Sequence, residues 1–219
     1  MSFLTAAVSP LNLALVILNM EQRCSSVAQL GAAARFSHLW RESSLRLCAD
    51  GAANRLHDNL DEDLRAQMLP DLITGDLDSL RGDVATFYSD RGVNILGEAD
   101  QDTHDFEKCL RWLERKQVAE PSARPFSVVA VGAFGGRLDQ QMANLNMGYA
   151  FSCFERFYLI SDRSLACVLP AGKHVIEANR DAQDGTCGLI PLGGRCERVV
   201  TTGCARARAR TACEDAASA

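Results

Sequence analysis

The amino-acid sequence predicts an α/β fold, in which a parallel sheet with helices on both faces is followed by a small, incomplete β-sandwich domain. From residue 45 to about residue 160, short apolar runs typical of buried parallel strands alternate with segments of helical periodicity. Beyond residue 160, short β-type runs follow one another between glycines and prolines. A chain of 219 residues, 47% of them hydrophobic, can bury a substantial core and divide into two domains.

The first predicted strand lies at residues 15–18, an apolar run that suits the interior of a parallel sheet. No basic residue precedes it, and Pro10 and Asn12 interrupt the apolar stretch, so it lacks the pattern of a signal sequence. No apolar stretch is long enough to span a bilayer, and we therefore expect no membrane partner. Residues 20–35 leave helix and loop equally open.

The next elements follow the order strand, polar turn, helix. Apolar runs at 45–49, 72–74 and 127–131 each lead into polar or glycine residues, and helical patterns lie around 79–88, 105–115 and 139–151. In open α/β sheets, ligands bind in the crevice beyond the carboxyl ends of the strands. The polar residues that follow the strands are therefore expected to converge in space.

Asp76 and Asp78 form the most informative polar turn, because two carboxylates two residues apart can face one shared point. Hard divalent cations such as magnesium prefer oxygen ligands of this kind. The spacing alone also fits an ordinary turn at a strand end, where Gly, Asp and Ser are common for backbone reasons. The pair therefore predicts a magnesium site only together with other acids.

A second acidic cluster, Asp100-Gln101-Asp102-Thr103-His104-Asp105, precedes the helix predicted around 105–115. The N-terminus of a helix favours carboxylates and bound phosphates, because its amides are unpaired and its dipole is positive there. An N-cap role explains one acid before a helix, but it does not explain three. This cluster strengthens the prediction of a magnesium site.

The third cluster is a glycine-rich turn at residues 132–140, between a predicted strand and a predicted helix, where backbone can approach a phosphate closely. It lacks the Gly-Lys-Ser/Thr ending of a Walker loop. Arg137 could hold a phosphate through two parallel hydrogen bonds. The alternative is an arginine that pairs with a nearby acid. Asp50 and Gly51 end an earlier strand in a similar way.

Composition disfavours a nucleic-acid-binding protein, a disulfide-stabilised protein and a zinc protein. The net charge of -5 gives no sign of a nucleic-acid partner. The nine cysteines are scattered without a Cys-x-x-Cys pair, which favours reduced thiols in the cytoplasm over a disulfide framework or a zinc site.

The ordered motifs of the chain resemble those of the thiamine pyrophosphokinase family, in its animal type. The motifs that carry this resemblance are Cys-Ala-Asp-Gly-Ala-Ala-Asn-Arg at 48–55, Gly-Asp-Leu-Asp-Ser at 75–79, Asp-Gln-Asp-Thr-His-Asp-Phe at 100–106 and Gly-Gly-Arg-Leu-Asp-Gln at 135–140. The likeness extends over about residues 12–203. It implies a cytoplasmic homodimer that transfers the diphosphate of ATP to thiamine, giving thiamine diphosphate and AMP.

The resemblance also implies roles for individual residues. It makes Asp76, Asp78 and Asp105 the magnesium ligands, and it includes Arg137 among the catalytic residues. It places five residues in the nucleotide pocket, namely Asp50, Asn54, Gly135, Arg137 and Asp139. It places Gln101 and Asp102 on the side of the site that binds thiamine.

These motifs divide the chain into a catalytic domain at 1–160, a partial β-domain of the thiamine-binding type at 161–203 and a tail at 204–219. Within the β-domain, short strands are expected at 165–169, 174–176, 188–190 and 198–201. The tail is rich in Ala and Arg and lacks the alternation of a strand, so we expect it to be disordered. Its three arginines would give only a few phosphate contacts, which disfavours nucleic-acid binding.

The tail raises an alternative function. We expect that a shifted reading frame or an alternative exon has replaced the end of the second domain, which peptide mass spectrometry of the natural protein would test. Losing strands exposes unpaired backbone edges. The alternative to an active kinase is therefore an inactive truncated isoform that binds nucleotide or dimerises with full-length partners, and a more generic alternative is a magnesium-dependent nucleotide hydrolase.

Overall fold

The computed structural model describes residues 11–19, 34–100, 102–161, 164–176 and 186–203. One compact unit spans Pro10–Pro170. Its elements, in chain order, are β1 Asn12–Ile17, α1 Ala34–Glu42, β2 Leu45–Ala49, α2 Ala52–Asn59, α3 Glu62–Gln67, β3 Leu72–Gly75, α4 Gly82–Ser89, β4 Asn94–Gly97, α5 Asp105–Ala119, β5 Phe126–Val131, α6 Leu138–Ala150, β6 Arg156–Ile160 and β7 Leu165–Cys167.

The strands form one seven-stranded sheet in the order β4-β3-β2-β1-β5-β6-β7. The first six strands run parallel, and β7 is antiparallel to β6. Strand β1 lies between β2 and β5, with Ala14 in register with Leu45 on one side and Val128 on the other. The chain therefore winds outward in two directions from β1, which creates a crevice at the carboxyl ends of these strands. The predicted α/β class is confirmed.

Both faces of the sheet are covered. Ala14 and Val16 of β1 lie in one core cluster with Phe106 and Leu110 of α5 and Met147 of α6. The intervening β1 residues are equally buried, so they face the helices on the opposite side. Strands buried on both faces read as continuous apolar runs, which is why residues 13–17 show no polar alternation.

Helix α5 forms because its apolar residues recur at helical spacing. Phe106, Cys109, Leu110 and Leu113 are all buried, and the helix packs against β2 and β3. Burying each of the larger apolar side chains contributes roughly 1.5–3 kcal/mol. This packing fixes the first turn of α5, which begins at Asp105, beside the ends of both strands.

The segment predicted at 165–169 as the first strand of a second domain forms only over Leu165–Cys167, and it belongs to the main sheet. It turns back after β6 and pairs Leu165 with Ile160. A strand directly after an exposed sheet edge gains a partner at once through a tight turn, and the backbone bond from Ser161 N to Ser164 O, 2.8 Å long, closes that turn.

The strands predicted at 174–176, 188–190 and 198–201 are not formed among the described residues, and those predictions were wrong. Only an isolated bridge is present there, at Val199. Val175, Ile176 and Ile190 are largely exposed, so their apolar character has no packed face to stabilise a ladder. The β-sandwich is not seen in residues 171–176 and 186–203, and the division into three segments at 160 and 203 stays a prediction.

Three sequence predictions fall outside the described residues. They concern residues 20–33, Gln101 and the tail at 204–219. Within the part of the chain that is described, no helix combines the length and the apolar character needed to cross a bilayer.

Candidate active site

Asp50 lies directly after β2, at the carboxyl edge of the sheet. Its backbone adopts φ 37°, a left-handed conformation that Asp tolerates better than most residues. The backbone N–H of Asp50 donates to the carbonyl of Thr74, 2.9 Å away, and ties the end of β2 to β3. The residue is only 2% exposed. The fold thus buries a carboxyl group at the crevice.

The Asp50 carboxylate is only partly satisfied. Oδ2 accepts a hydrogen bond from the Ser79 backbone N–H at 3.2 Å. Oδ1 is buried and accepts no hydrogen bond from the described residues. Burying a carboxylate oxygen without a hydrogen-bond partner costs folding free energy, and a bound ligand at this position would offset that cost.

Asp76 and Asp105 complete a cluster with Asp50. Asp76 follows β3, and Asp105 is the first residue of α5. One carboxylate oxygen from each of the three residues lies within 4.8 Å of the others. The predicted convergence of acids that are distant in sequence is therefore present, although it includes Asp50, which was predicted as part of the nucleotide pocket and not as a metal ligand.

Gly75 makes this convergence possible. A Cβ atom at this position would lie 2.6 Å from Cβ of Asp50 and 3.0 Å from Oδ1 of Asp105. Any side chain here would push the two acids apart. The glycine before Asp76 is thus required by the close approach of the carboxylates.

The electrostatics of the cluster suit a cation. Burial raises the pKa of Asp50 to about 6, and the negative charges of Asp105, Asp76 and Asp78 add to the rise, against a lowering by the Ser79 N–H. Opposite oxygen ligands of a magnesium ion lie about 4.2 Å apart, and the three carboxylate oxygens, all within 4.8 Å of one another, are near enough to share one ion. The residues present therefore fit a hard divalent cation.

Asp78 lies on the adjacent turn and is exposed. Its Oδ1 accepts a hydrogen bond from Ser79 Oγ at 2.8 Å, while its backbone N–H donates to Asp76 Oδ1 at 3.2 Å. Leu77 between the two acids has φ 63°. The turn orients Asp76 toward the cluster, and the role of Asp78 as a ligand stays a prediction.

The acids before α5 differ in what they do. Asp100 accepts hydrogen bonds from the Thr103 hydroxyl and from the Asp102 backbone N–H, the latter at 3.0 Å. It therefore stabilises the turn that leads into the helix. Asp102 is exposed, and its assignment to the substrate side stays a prediction.

Lys108 is a residue beside the cluster that was not predicted from the sequence. Its side chain is only 1% exposed, and Nζ donates to Asp105 Oδ1 at 3.1 Å. The sequence signal was a lysine among the apolar residues on the inward face of α5, three positions after Asp105. A fully buried lysine is rare unless it is paired, so its place on the inward face indicates a buried acidic partner.

Asn54 of α2 clamps the loop that follows the acids. Its Nδ2 donates to the Ser79 carbonyl at 2.7 Å, and its Oδ1 accepts from the Arg81 N–H at 3.0 Å. One turn later, Asp58 accepts two hydrogen bonds from the Arg81 guanidinium, at 2.6 and 2.8 Å. Arg81 holds the pKa of Asp58 down at about 2.

The clamp borders an open groove of about 430 Å³ beside the acid cluster. Most of its lining is polar, which suits a hydrated or charged ligand. The residues that line it are Asn19, Gly51, Asn54, Arg55, Asp58, Asn59, Ser79 and Arg81.

The glycine-rich turn follows β5. Gly135 and Gly136 have φ values of 112° and 70°, so the turn needs glycine for its backbone. Arg137 Nε donates to Asp139 Oδ1 at 3.1 Å, and both side chains are exposed, at 68% and 60%. The alternative of an arginine that pairs with a nearby acid is therefore the observed state, and the nucleotide role of Gly135, Arg137 and Asp139 stays a prediction.

Comparison with known proteins gives a consistent result. Residues 36–158 match the family described as thiamin pyrophosphokinase, catalytic domain. Thiamine pyrophosphokinase 2 of Arabidopsis thaliana is 39% identical over 175 residues, which cover 75% of this chain and 65% of that protein. Thiamine pyrophosphokinase 1 of Oryza sativa subsp. japonica is 37% identical over 200 residues, or 87% of this chain and 71% of that protein.

The fold agrees with these matches. The crystal structure of yeast thiamin pyrophosphokinase superposes with a TM-score of 0.61 at 27% identity, covering 75% of this chain and 63% of that one. The chain thus spans about two thirds of the length of the relatives it matches.

Proposed function

Because the chain belongs to the thiamin pyrophosphokinase family, we propose that it transfers a diphosphate group from ATP to the hydroxyl oxygen of thiamine, giving thiamine diphosphate and AMP. The observation that carries this proposal is the meeting of Asp50, Asp76 and Asp105 within 4.8 Å at the crevice of the sheet. Diphosphate transfer depends on positioning and on neutralising the charge of phosphate oxygens, and this site offers both.

Magnesium would be held by Asp76 and Asp105, with Asp78 as the third acid of the predicted set and Asp50 as the buried acid that the fold adds. When bound, the ion would neutralise negative charge on the transferred phosphate oxygens and on the departing AMP. The partly satisfied Asp50 carboxylate supports this assignment, because its Oδ1 lacks a hydrogen-bond donor among the described residues.

The remaining roles are proposed from the family assignment. Arg137 and Gly135 would hold the phosphates, with Arg137 exchanging the Asp139 carboxylate for a negatively charged phosphate. Asn54 keeps the loop at 79–81 in place and so supports the pocket from one side. Gln101 and Asp102 are assigned to thiamine. Asp102 or Asp105 would accept the proton of the thiamine hydroxyl, and His104 is the other candidate base.

Three further features belong to the proposal on family grounds alone. They are a homodimeric state, a cytoplasmic location and the animal subtype of the family. The matches to plant and yeast proteins support the family as a whole and do not separate its subtypes.

The proposal is tested by measuring AMP release from the purified chain with ATP and magnesium, with and without thiamine. We expect AMP to appear only when thiamine is present. Turnover without thiamine would indicate a nucleotide hydrolase, and ATP binding without any turnover would indicate the inactive isoform; either result contradicts the proposed activity.

Asp76→Asn and Asp71→Asn form a matched pair for this assay. They change acids at opposite ends of β3, and only Asp76 lies at the crevice, while Asp71 pairs with Arg46 at 3.4 Å. We expect Asp76→Asn to abolish thiamine-dependent AMP release and Asp71→Asn to retain it.

A further inference from the structure

Lys108 is an ionic group where the fold otherwise packs apolar side chains. It lies on α5 between Phe106 and Cys109, both buried, and its own side chain is 1% exposed. Its Nζ reaches the same carboxylate, Asp105, that contributes to the acid cluster. The lysine therefore approaches the cluster from the protein interior.

We propose that Lys108 is a positioning residue that sets the divalent-cation affinity of the acid cluster, by holding Asp105 and supplying a fixed positive charge behind it. This inference rests on the metal assignment of the proposed function. The ligand class is a hard divalent cation, and magnesium and manganese are the probes.

The contacts of Lys108 favour an indirect role over direct substrate binding. Its side chain is 1% exposed, and its Nζ donates to Asp105 Oδ1. It therefore acts on the site through its hydrogen bond to Asp105, whose side chain is 36% exposed, and through its charge.

A purely structural role does not explain the choice of lysine. Removing an ammonium group from water is expensive, and an apolar side chain of similar length would pack on this face with less loss of solvation. What lysine adds is charge. Three carboxylates within 4.8 Å repel one another, and Lys108 offsets part of that repulsion when no cation is bound.

The same charge opposes a bound cation. The positive charge of Nζ, 3.1 Å from Oδ1 of Asp105, withdraws electron density from this carboxylate and repels a divalent ion that the cluster binds. Lys108 thus stabilises the metal-free cluster and weakens its hold on the metal. Such a site binds its cation loosely and exchanges it readily.

The experiment compares Lys108→Met with Lys116→Met in the full chain. Both lysines lie on α5 and pair with an acid, but Lys116 is at the exposed end, 2.9 Å from Glu120. Mn²⁺ affinity is measured by calorimetric titration without ATP or thiamine, after circular dichroism has shown that each variant is folded. We expect Lys108→Met to bind Mn²⁺ about tenfold more tightly than the parent, and Lys116→Met to bind it like the parent.

A second measurement separates affinity from folding. Without metal, Lys108→Met should melt at a lower temperature than the parent, and saturating Mg²⁺ should remove most of that difference. If the variant does not fold alone, it should refold in excess Mg²⁺, because the ion replaces the lost positive charge. Failure to refold there contradicts the inference.

The outcomes distinguish this inference from the function on which it rests. A folded Lys108→Met that binds Mn²⁺ equally or more weakly overturns the role of Lys108 and leaves the metal site intact. A parent chain that binds neither Mn²⁺ nor Mg²⁺ overturns the metal assignment itself.

Discussion

The acid cluster at Asp50, Asp76 and Asp105 and the glycine-rich turn at 132–140 both follow strands of one sheet. Their polar residues were predicted to converge at one crevice, with Asp76 and Asp105 as magnesium ligands and with Asp50 and the turn in the nucleotide pocket. Their local energetics differ. The acids are buried or half-buried, carry like charges and leave one carboxylate oxygen without a hydrogen bond from the described residues. At the turn, Arg137 is exposed and already paired with Asp139.

This difference predicts that the acid cluster lowers the stability of the metal-free protein, whereas the glycine-rich turn does not. Like charges brought together under burial destabilise the metal-free fold, and a ligand cation would relieve that repulsion. An exposed ion pair contributes little either way. Changes in the cluster should therefore alter stability and metal binding together, while changes in the turn should alter ligand binding alone.

Among the changes considered, Gly75→Ala should have the largest effect on stability and on metal binding at the acid cluster. The added methyl group would lie 2.6 Å from Cβ of Asp50, so β2 or β3 must shift. We expect a loss of about 2–3 kcal/mol in the free energy of unfolding, typical of overpacking, and loss of Mg²⁺ binding. Urea denaturation and metal titration would measure both.

Gly82→Ala is the control for Gly75→Ala, because a Cβ atom at Gly82 meets no atom within 4 Å and the residue begins α4. Its stability should match or slightly exceed that of the parent. Equal stability of Gly75→Ala and Gly82→Ala would show that the strands are not packed as closely as described.

Asp50→Asn should have a smaller effect of opposite sign. The pKa of Asp50 is raised to about 6, so the carboxylate that it carries at neutral pH costs more free energy in the metal-free fold than in the unfolded chain. Replacing it with a neutral amide should stabilise the metal-free protein by about 1–2 kcal/mol, after allowance for solvent screening, while weakening Mg²⁺ binding.

The pH dependence of this effect has a defined sign. Between about pH 4 and about pH 6 the folded state holds a proton on Asp50 that the unfolded state has released. The parent should therefore lose stability across this window as the pH rises, and Asp50→Asn should lose less. Urea midpoints in chelator at several pH values would test this, and identical slopes for the two proteins would argue against a destabilising Asp50 charge.

The same contrast shows what could be predicted from the sequence. Continuous apolar runs predicted the parallel strands, and polar residues after them predicted the convergence of Asp76 with Asp105. Lys108 was missed because helical periodicity distinguishes inward from outward positions but not the partner that an inward lysine meets. Asp50 was assigned to the nucleotide because its burial and left-handed backbone depend on contacts with residues 74 and 79 that no local pattern reveals.

The incorrect strands have a related cause. Residues 174–176 and 188–190 contain short apolar runs, but a strand needs a partner and a packed face, and Val175 and Ile190 are largely exposed in this structure. Leu165–Cys167 forms a strand because β6 precedes it at a distance that a tight turn can close. Pairing partners, more than local composition, decided which of these segments became strands.

Arg137→Gln should have the smallest effect on stability and is the sharpest test of the glycine-rich turn. The pair with Asp139 is exposed on both sides, so its removal should leave the urea midpoint unchanged. If Arg137 exchanges Asp139 for a phosphate, the variant should bind ATP about tenfold more weakly, because a charged bidentate contact is lost.

Arg137→Lys should recover part of that affinity, since it keeps the charge but not the paired geometry. Unchanged ATP binding in a folded Arg137→Gln protein would contradict the proposed role of this arginine in holding a phosphate.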